Sequence, residues 1–196
     1  MANKDAAFGL RAIGKVGQNR DNQGLSEYGI AASTTSAIFQ NDPVQFLGTG
    51  YIGVADTTTA VLLGSLNGVF YTDASTSKPT WANHLAASNA ATDIVGFVAD
   101  DPYERFEVQA DGTLAIADIG LNTDIVYAPG SSPNFVSKME IDSNTANVTT
   151  ASKQFRILGV AKDIENSELS NVTTYAANVN VVGIINEHFL KSGTGI

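Results

Sequence analysis

The sequence predicts an all-β protein: a compact β-barrel or β-sandwich body with short helical turns and an extended N-terminal arm. One reason is composition. Only 16% of the 196 residues are charged, so uncharged polar residues and Gly must form much of the surface; Thr fits a pleated strand, and Gly and Asn fill turns. A second reason is spacing. From residue 25 onward, short apolar runs recur about every eight to twelve residues between turn residues, as in barrels and sandwiches.

The clearest predicted strand covers residues 105–109, where Phe106 and Val108 alternate with polar side chains. A two-residue period is typical of a strand with one buried face, so we expect Phe106 and Val108 to face the core. Short helical turns are expected within 81–89 and 116–123. The other strand candidates are 27–31, 37–40, 44–47, 51–55, 60–63, 68–72, 94–98, 135–141, 155–160 and 179–185.

Residues 1–24 are predicted to form an extended arm, and residues 25–196 a single β-rich body. Gly9 and Gly14 oppose a helix in the arm, and such a segment is ordered only where it lies on another surface. Residues 1–22 carry four basic and two acidic side chains, a net charge of +2, whereas the remaining residues carry seven basic and eighteen acidic ones, a net charge of −11. Two interpretations stay open: an arm that docks on an acidic neighbour, and a solvated N-terminus.

Charge and composition exclude several classes of partner and chemistry. The net charge of −9 repels nucleic acid and anionic membranes, so we expect neither as a partner. No apolar run approaches the roughly 18 residues of a membrane-spanning helix, and residues 1–17 lack the apolar core of a secretion signal. Because the sequence has no cysteine, it cannot form disulfides, thiolate nucleophiles or cysteine-based metal sites.

The stretch FVADDPYERFEVQADG at 97–112 concentrates acidic residues and is the best candidate for acid/base chemistry or cation binding. Neighbouring residues on a strand point to opposite faces, so the local sequence does not bring these carboxylates together as a hydrolase would need. Their spacing also differs from that of an EF-hand loop. We expect a turn entering a strand, with the carboxylates solvated or paired with a neighbouring subunit; a looser cation site and a carboxylate pair are the alternatives. The five carboxylates are Asp100, Asp101, Glu104, Glu107 and Asp111.

Other motifs that could carry catalysis are weak. His84 and His188 are too far apart in sequence to form a helical ligand pair, and no nucleophile elbow of the form G-x-S-x-G is present. The stretch at 48–53 is a literal G-x-G-x-x-G, but poor helix formers follow it, so a glycine-rich hairpin turn is predicted instead of a dinucleotide site. We therefore expect a structural or interaction protein and not an enzyme, with no cofactor, no catalytic residue and no assigned metal ligand.

Aromatic residues concentrate in the middle third of the chain. Most are expected in the core, while Trp81 and Tyr103 are candidates for an interface, where amphipathic rings are common. A carbohydrate-binding face is the alternative for such a cluster. The residues concerned are Phe70, Tyr71, Trp81, Phe97, Tyr103 and Phe106.

Seven short stretches, in the same order along the chain, carry a family resemblance. The most recognisable is DDPYERFEVQ at 100–109, and AIFQNDPV at 37–44 places Asn41 where the family usually has Gly. The others are MANKDAAFGLRAIGKVG at 1–17, LNGVFYTD at 66–73, DIGLN at 118–122, KMEID at 138–142 and the run at 184–189. Together they resemble the head decoration, or cement, proteins of tailed bacteriophages from marine and environmental sources.

The resemblance implies an all-β protein on the outer surface of an icosahedral head, made in the cytoplasm of the host bacterium and stabilising the head against the pressure of its DNA. It would bury surface across neighbouring subunits of the major capsid protein and against sister copies, with a trimer favoured over a dimer. A tail-associated structural protein and a carbohydrate-binding module on the virion are the alternatives. The residues expected at the interface are Lys4, Phe8, Leu10, Arg11, Lys15, Arg20, Trp81 and Tyr103.

Overall fold

The predicted all-β class is confirmed. Strands make up 41% of the fold, and in the part of the chain that the structure describes no helix reaches seven residues. The structure is a computed structural model that describes residues 3–17, 24–146, 149, 151–162, 171 and 173–191.

Short 3₁₀ helices take the place of longer helical segments. One, Ile116–Asp118, lies inside a predicted helical turn, and another, Phe189–Lys191, follows the last strand. The stretch at 81–89 was also predicted to contain a helical turn. Its first two residues instead belong to the β-strand Pro79–Ala82.

The strands are short and are numbered here in chain order. They are β1 (Arg11–Lys15), β2 (Ser26–Gly29), β3 (Pro43–Phe46), β4 (Ile52–Val54), β5 (Gly64–Thr72), β6 (Pro79–Ala82), β7 (Val95–Ala99), β8 (Glu104–Gln109), β9 (Asn122–Thr123), β10 (Ile125–Val126), β11 (Glu140–Ile141), β12 (Phe155–Val160) and β13 (Asn180–Ile185).

Two predicted strands, at 37–40 and 60–63, make single bridges instead of ladders. Ile38 bridges Leu85, and Leu62 bridges His188. Ile38 and Leu62 are fully buried. Their apolar runs therefore reflect burial in the core. In segments this short, a buried apolar run cannot be distinguished from a strand by its sequence pattern.

The first large sheet is antiparallel, with the strand order β1-β8-β13-β12-β9. Its inner face is apolar, and Phe106 and Val108 on β8 are fully buried as predicted. Val181 on β13 and Phe155 on β12 lie on the same inner face and are also fully buried. The intervening residues of these strands point away from the core, because successive side chains alternate across a sheet.

The second large sheet has the order β2-β7-β5-β3-β4, and β6 pairs with the second half of β5. A parallel bridge between Ile30 and Ile52 joins its two ends, so the sheet curls towards a small barrel. Gly96 lies on the inner side: a Cβ built there would lie 3.0–3.3 Å from methyl groups of Ile30, Ile52 and Leu66. The interior of this curled sheet therefore has no room for a side chain at residue 96.

One hydrophobic cluster unites the two sheets. It contains Leu66 and Val98 of the second sheet, Phe106 and Phe155 of the first, and Leu10 from the predicted arm. Burial of large apolar side chains in one continuous core is the main stabilising contribution expected for such a fold.

Candidate interaction surface

The acidic stretch at 97–112 forms a turn that enters β8, and its carboxylates bond within the chain. Asp100 accepts hydrogen bonds from Ser26 Oγ at 2.9 Å and from the Tyr28 hydroxyl at 2.5 Å. Burial, and then the hydrogen bond to Asp100, raises the pKa of Tyr28 to about 12, which keeps the hydroxyl protonated as a donor. Asp101 forms an ion pair with Lys15 at 2.7 Å.

The remaining three carboxylates of the stretch also form hydrogen bonds or ion pairs within the chain. Glu104 accepts the Gly14 backbone N–H at 3.2 Å, Glu107 pairs with Arg11 at 2.5 Å, and Asp111 accepts the Ser143 backbone N–H at 2.8 Å. Glu104 and Glu107 are only 7% and 6% exposed.

The expectation that these carboxylates are solvated is wrong for Glu104 and Glu107, which are buried, whereas Asp111 is exposed as expected. Pairing with a neighbouring subunit stays a prediction. Asp100 ties β2 to the end of β7, and the other four tie β1 and residue 143 to β8 and its flanking residues. Within the described ranges, no three His, Asp or Glu side chains are placed so that they could hold a metal ion.

The predicted arm lies on the body of its own chain over residues 3–17. β1 pairs with β8, and nearer the N-terminus Gln109 accepts the Ala6 N–H at 2.8 Å and donates to the Lys4 carbonyl at 3.0 Å. Leu10 was expected to touch a partner, but its side chain is fully buried in the core of this chain. That expectation is corrected, since a fully buried side chain has no surface to offer.

The basic residues of the arm divide into three groups. Arg11 and Lys15 are ion-paired inside the chain with Glu107 and Asp101, and the Arg11 guanidinium also lies 4.9 Å over the half-buried Phe8 ring. Lys4 is exposed. Arg20 lies outside the described residues. Contact of Lys4, Phe8, Arg11, Lys15 and Arg20 with a partner stays a prediction.

Three aromatic side chains form a surface on the outer face of the second sheet. Trp81 and Phe70 are directly opposed on β6 and β5, and they are 55% and 40% exposed. The Phe97 ring on β7 lies 4.7 Å from the Trp81 ring, centroid to centroid. We call Phe70, Trp81 and Phe97 the aromatic strip.

The aromatic strip is built by strand register. Gly68 is opposite Phe97. A Cβ at Gly68 would lie 2.9 Å from the Trp81 indole. Because Gly68 has no side chain, the indole can pack directly against β5. Val95, opposite Phe70, extends the apolar surface. Among the aromatic residues singled out in the sequence, Phe106 lies in the core, whereas Phe70, Trp81 and Phe97 share one exposed face.

The edge of the aromatic strip is acidic. Glu27 on β2 is opposite Phe97 and is exposed. Asp93, also exposed, accepts the Thr72 backbone N–H at 3.0 Å beyond Phe70. The surface therefore combines an apolar centre with a negatively charged rim, the general layout of a protein-protein interface.

Tyr103, the other aromatic residue expected at an interface, lies apart from the strip in the turn before β8. It is 59% exposed, and the Lys191 ammonium lies 4.9 Å from its ring centroid. A cation–π contact of this kind holds the ring in place on the surface.

The two histidines do not form a site together. The His84 ring stacks 4.0 Å from the Phe135 ring. His188 is 2% exposed; its Nδ1 accepts the Leu190 N–H at 3.1 Å, and its buried Nε2 has no hydrogen-bond partner. Burial, and then the charge of Lys191, lowers the pKa of His188 to about 4.

This shift predicts a pH dependence of stability. Above pH 6.5 the imidazole is neutral in both states, whereas between pH 6.5 and about 4 only the unfolded chain binds the proton. Stability supplied by neutral His188 should therefore fall by about 2–3 kcal/mol as the pH falls through that window. The measurement is the free energy of unfolding at pH 7 and pH 4.5 for the wild type and His188→Gln. Asp42, whose pKa burial raises to about 6, contributes with the opposite sign in both proteins and cancels in the comparison. Parallel pH profiles would contradict the assignment.

The G-x-G-x-x-G stretch at 48–53 lies in the β3–β4 hairpin, as predicted. β3 and β4 pair antiparallel, and the Leu47 N–H donates to the Tyr51 carbonyl at 2.8 Å. Gly50 has a φ of +83°, a left-handed conformation that favours glycine.

Comparison with protein-family models, with curated proteins and with solved structures gives no significant match. The resemblance to phage head decoration proteins therefore stays a prediction. Among the helices of the described residues, none combines the length and apolarity needed to span a membrane.

Proposed function

We propose that the chain is a non-catalytic virion protein that decorates the outer surface of an icosahedral phage head and stabilises it by binding neighbouring major capsid subunits. The observation that carries the proposal is the aromatic strip, an exposed apolar face on a β-sheet. The sequence resemblance supplies the phage context. The placement of the acidic stretch supports a structural role, because its carboxylates are already bonded within the fold.

The aromatic strip is suited to protein binding. Trp and Phe side chains supply large apolar areas on burial, and Trp is among the residues that most often dominate interface energies. Its acidic rim of Glu27 and Asp93 favours a partner that surrounds an apolar patch with basic residues. On a symmetric lattice many copies act together, so a modest contact per copy suffices. Sister copies, with a trimer favoured, would multiply the contact further.

The proposal predicts that Trp81→Ala weakens binding to heads by about 30-fold or more, as expected for loss of about 2 kcal/mol at an interface hot spot. The measurement is co-sedimentation of the purified protein with heads assembled from the capsid protein of the phage that encodes the chain. Ile116→Ala is the matched control, because Ile116 is also exposed, at 42%, but lies outside the strip.

Circular dichroism melting should show that both variants fold. Equal binding of folded Trp81→Ala and wild type would contradict the role of the strip. Location in the tail instead of the head would favour a tail-associated structural protein.

A second candidate function, carbohydrate binding on the virion surface, is favoured by the exposure of the Trp81 ring on a flat sheet. Aromatic faces of this kind can stack against sugars. Glycan-array binding by the wild type that disappears in Trp81→Ala, together with no binding to heads, would establish this alternative.

A further inference from the structure

Two arginines occupy the outer face of the first sheet. Phe106 on β8, Ile185 on β13 and Phe155 on β12 are buried on the inner face, so Arg105, Ile184 and Arg156 point outward.

Strand register places these three outward residues in one row. Gly183 is opposite Phe106, and Arg156 is opposite Ile184. Continuing the first of these registers by one residue puts Arg105 beside Ile184. We call Arg105, Ile184 and Arg156 the cationic row.

Neither arginine of the cationic row forms an ion pair among the described residues, although the charge of Arg105 acts on the neighbouring Glu104 carboxyl, whose pKa is raised by burial. Arg105 makes no hydrogen bond or ion pair there, and its Nε is buried without an acceptor. Arg156 donates to Asn122 Oδ1 at 2.9 Å and to Asn186 Oδ1 at 2.7 Å, both neutral groups. By contrast, Arg11 and Lys15 are ion-paired.

A third positive charge lies close to the row. Lys191 donates to the Ile185 carbonyl at 3.0 Å. Burial, and then the positive charge of Arg156, lowers the pKa of Lys191, while Asp101 raises it. Arg156 is thus close enough for its charge to act on Lys191, and the Asp101 carboxylate that also acts on Lys191 is itself ion-paired with Lys15.

The Arg156 guanidinium is held in place by its hydrogen bonds, and the Arg105 guanidinium lies against Gly14. Arg105 Nη2 lies 3.6 Å from the position of a Cβ at Gly14, whose φ of +142° also disfavours a side chain. Two asparagines fix Arg156. Since β13 separates their strands, the two arginine backbones lie roughly 9–10 Å apart. A binding site whose side chains are already fixed loses less conformational entropy on binding, so it binds more tightly than a flexible site.

We propose that the cationic row binds carboxylate side chains of an acidic protein segment. A planar guanidinium matches a carboxylate in a two-point hydrogen bond, and half-buried Ile184 and exposed Leu158, at 42%, add apolar contact beside the charges. A long nucleic acid is disfavoured because its phosphates would extend past the row over the acidic body, whereas a short acidic segment need only reach the row. The inference does not rest on the proposed head-binding function, and it concerns the opposite sheet from the aromatic strip.

The test is a fluorescence anisotropy titration of a labelled oligoglutamate peptide with the full chain at low salt. Binding should be measurable for the wild type and should weaken with added salt. Arg105→Gln and Arg156→Gln should each lower affinity roughly tenfold, as for loss of a charge-assisted hydrogen bond. Lys78→Gln is the control, because it removes the same unit charge from an exposed turn before β6 and should change affinity less than twofold.

Several results would overturn the inference. These are no binding by the wild type, equal effects of Arg105→Gln and Lys78→Gln, or tighter binding of a single-stranded oligonucleotide of equal charge. If Arg156→Gln fails to fold, Arg156→Lys keeps the charge and removes the two-point geometry, so it should still weaken binding; unchanged affinity would contradict the proposal. Loss of head binding in Trp81→Ala alone leaves this inference intact.

Discussion

Replacing Phe106 by Ala is expected to lower the free energy of unfolding by about 3–5 kcal/mol. Phe106 is fully buried in the middle of β8, where β1 pairs on one side and β13 on the other. Truncation removes a large apolar side chain and leaves a cavity in a sheet whose neighbours cannot collapse freely. Urea denaturation followed by circular dichroism measures the change.

Phe70→Ala is the matched control for this prediction. It deletes the same atoms from a side chain that is 40% exposed, so the expected loss is smaller, about 1 kcal/mol. A loss below about 1 kcal/mol for Phe106→Ala, or equal losses for the two variants, would show that Phe106 is not in the core.

Replacing Leu10 by Ala is expected to cost about 2–5 kcal/mol of stability. Leu10 is fully buried although it lies in the predicted arm. Its N–H donates to the Asn41 carbonyl at 2.9 Å, and its carbonyl accepts Ser65 Oγ at 2.6 Å. The N-terminal segment is thus bound to the body by packing and by hydrogen bonds.

Ile13→Ala tests the same segment without touching the core. Ile13 is 40% exposed on β1, and its truncation should cost less than about 1 kcal/mol. The comparison uses the same denaturation curves. Equal effects of Leu10→Ala and Ile13→Ala would mean that the segment does not belong to the core and would restore the expectation that it docks on a partner.

The fold was predictable where local pattern and burial agree. β8 was recognised because its polar and apolar residues alternate and because the strand has one buried face. The strand in the arm was missed, since Gly9 and Gly14 have positive φ values of 71° and 142° and a bulge interrupts the register after Ala12. β6 was missed because pairing with β5, and not its own composition, makes it a strand.

The surfaces were less predictable than the strands. Trp81 and Tyr103 were recognised as exposed aromatic candidates, but the grouping of Trp81 with Phe70 and Phe97 depends on register between strands far apart in sequence. The same applies to Arg105 and Arg156, whose strands lie on either side of β13. Asp100 bonds to side chains of β2 and Asp101 pairs with Lys15 of β1, so the local sequence around the acidic stretch contained no signal for these distant partners.

The most direct test of the proposed function is a cryo-electron-microscopy map of the phage particle that carries this chain. We predict regular density on the outer head surface, with Trp81 and the rest of the aromatic strip packed against a major capsid subunit. Density confined to the tail, no density in the virion, or a strip that faces solvent on the assembled head would contradict the proposal.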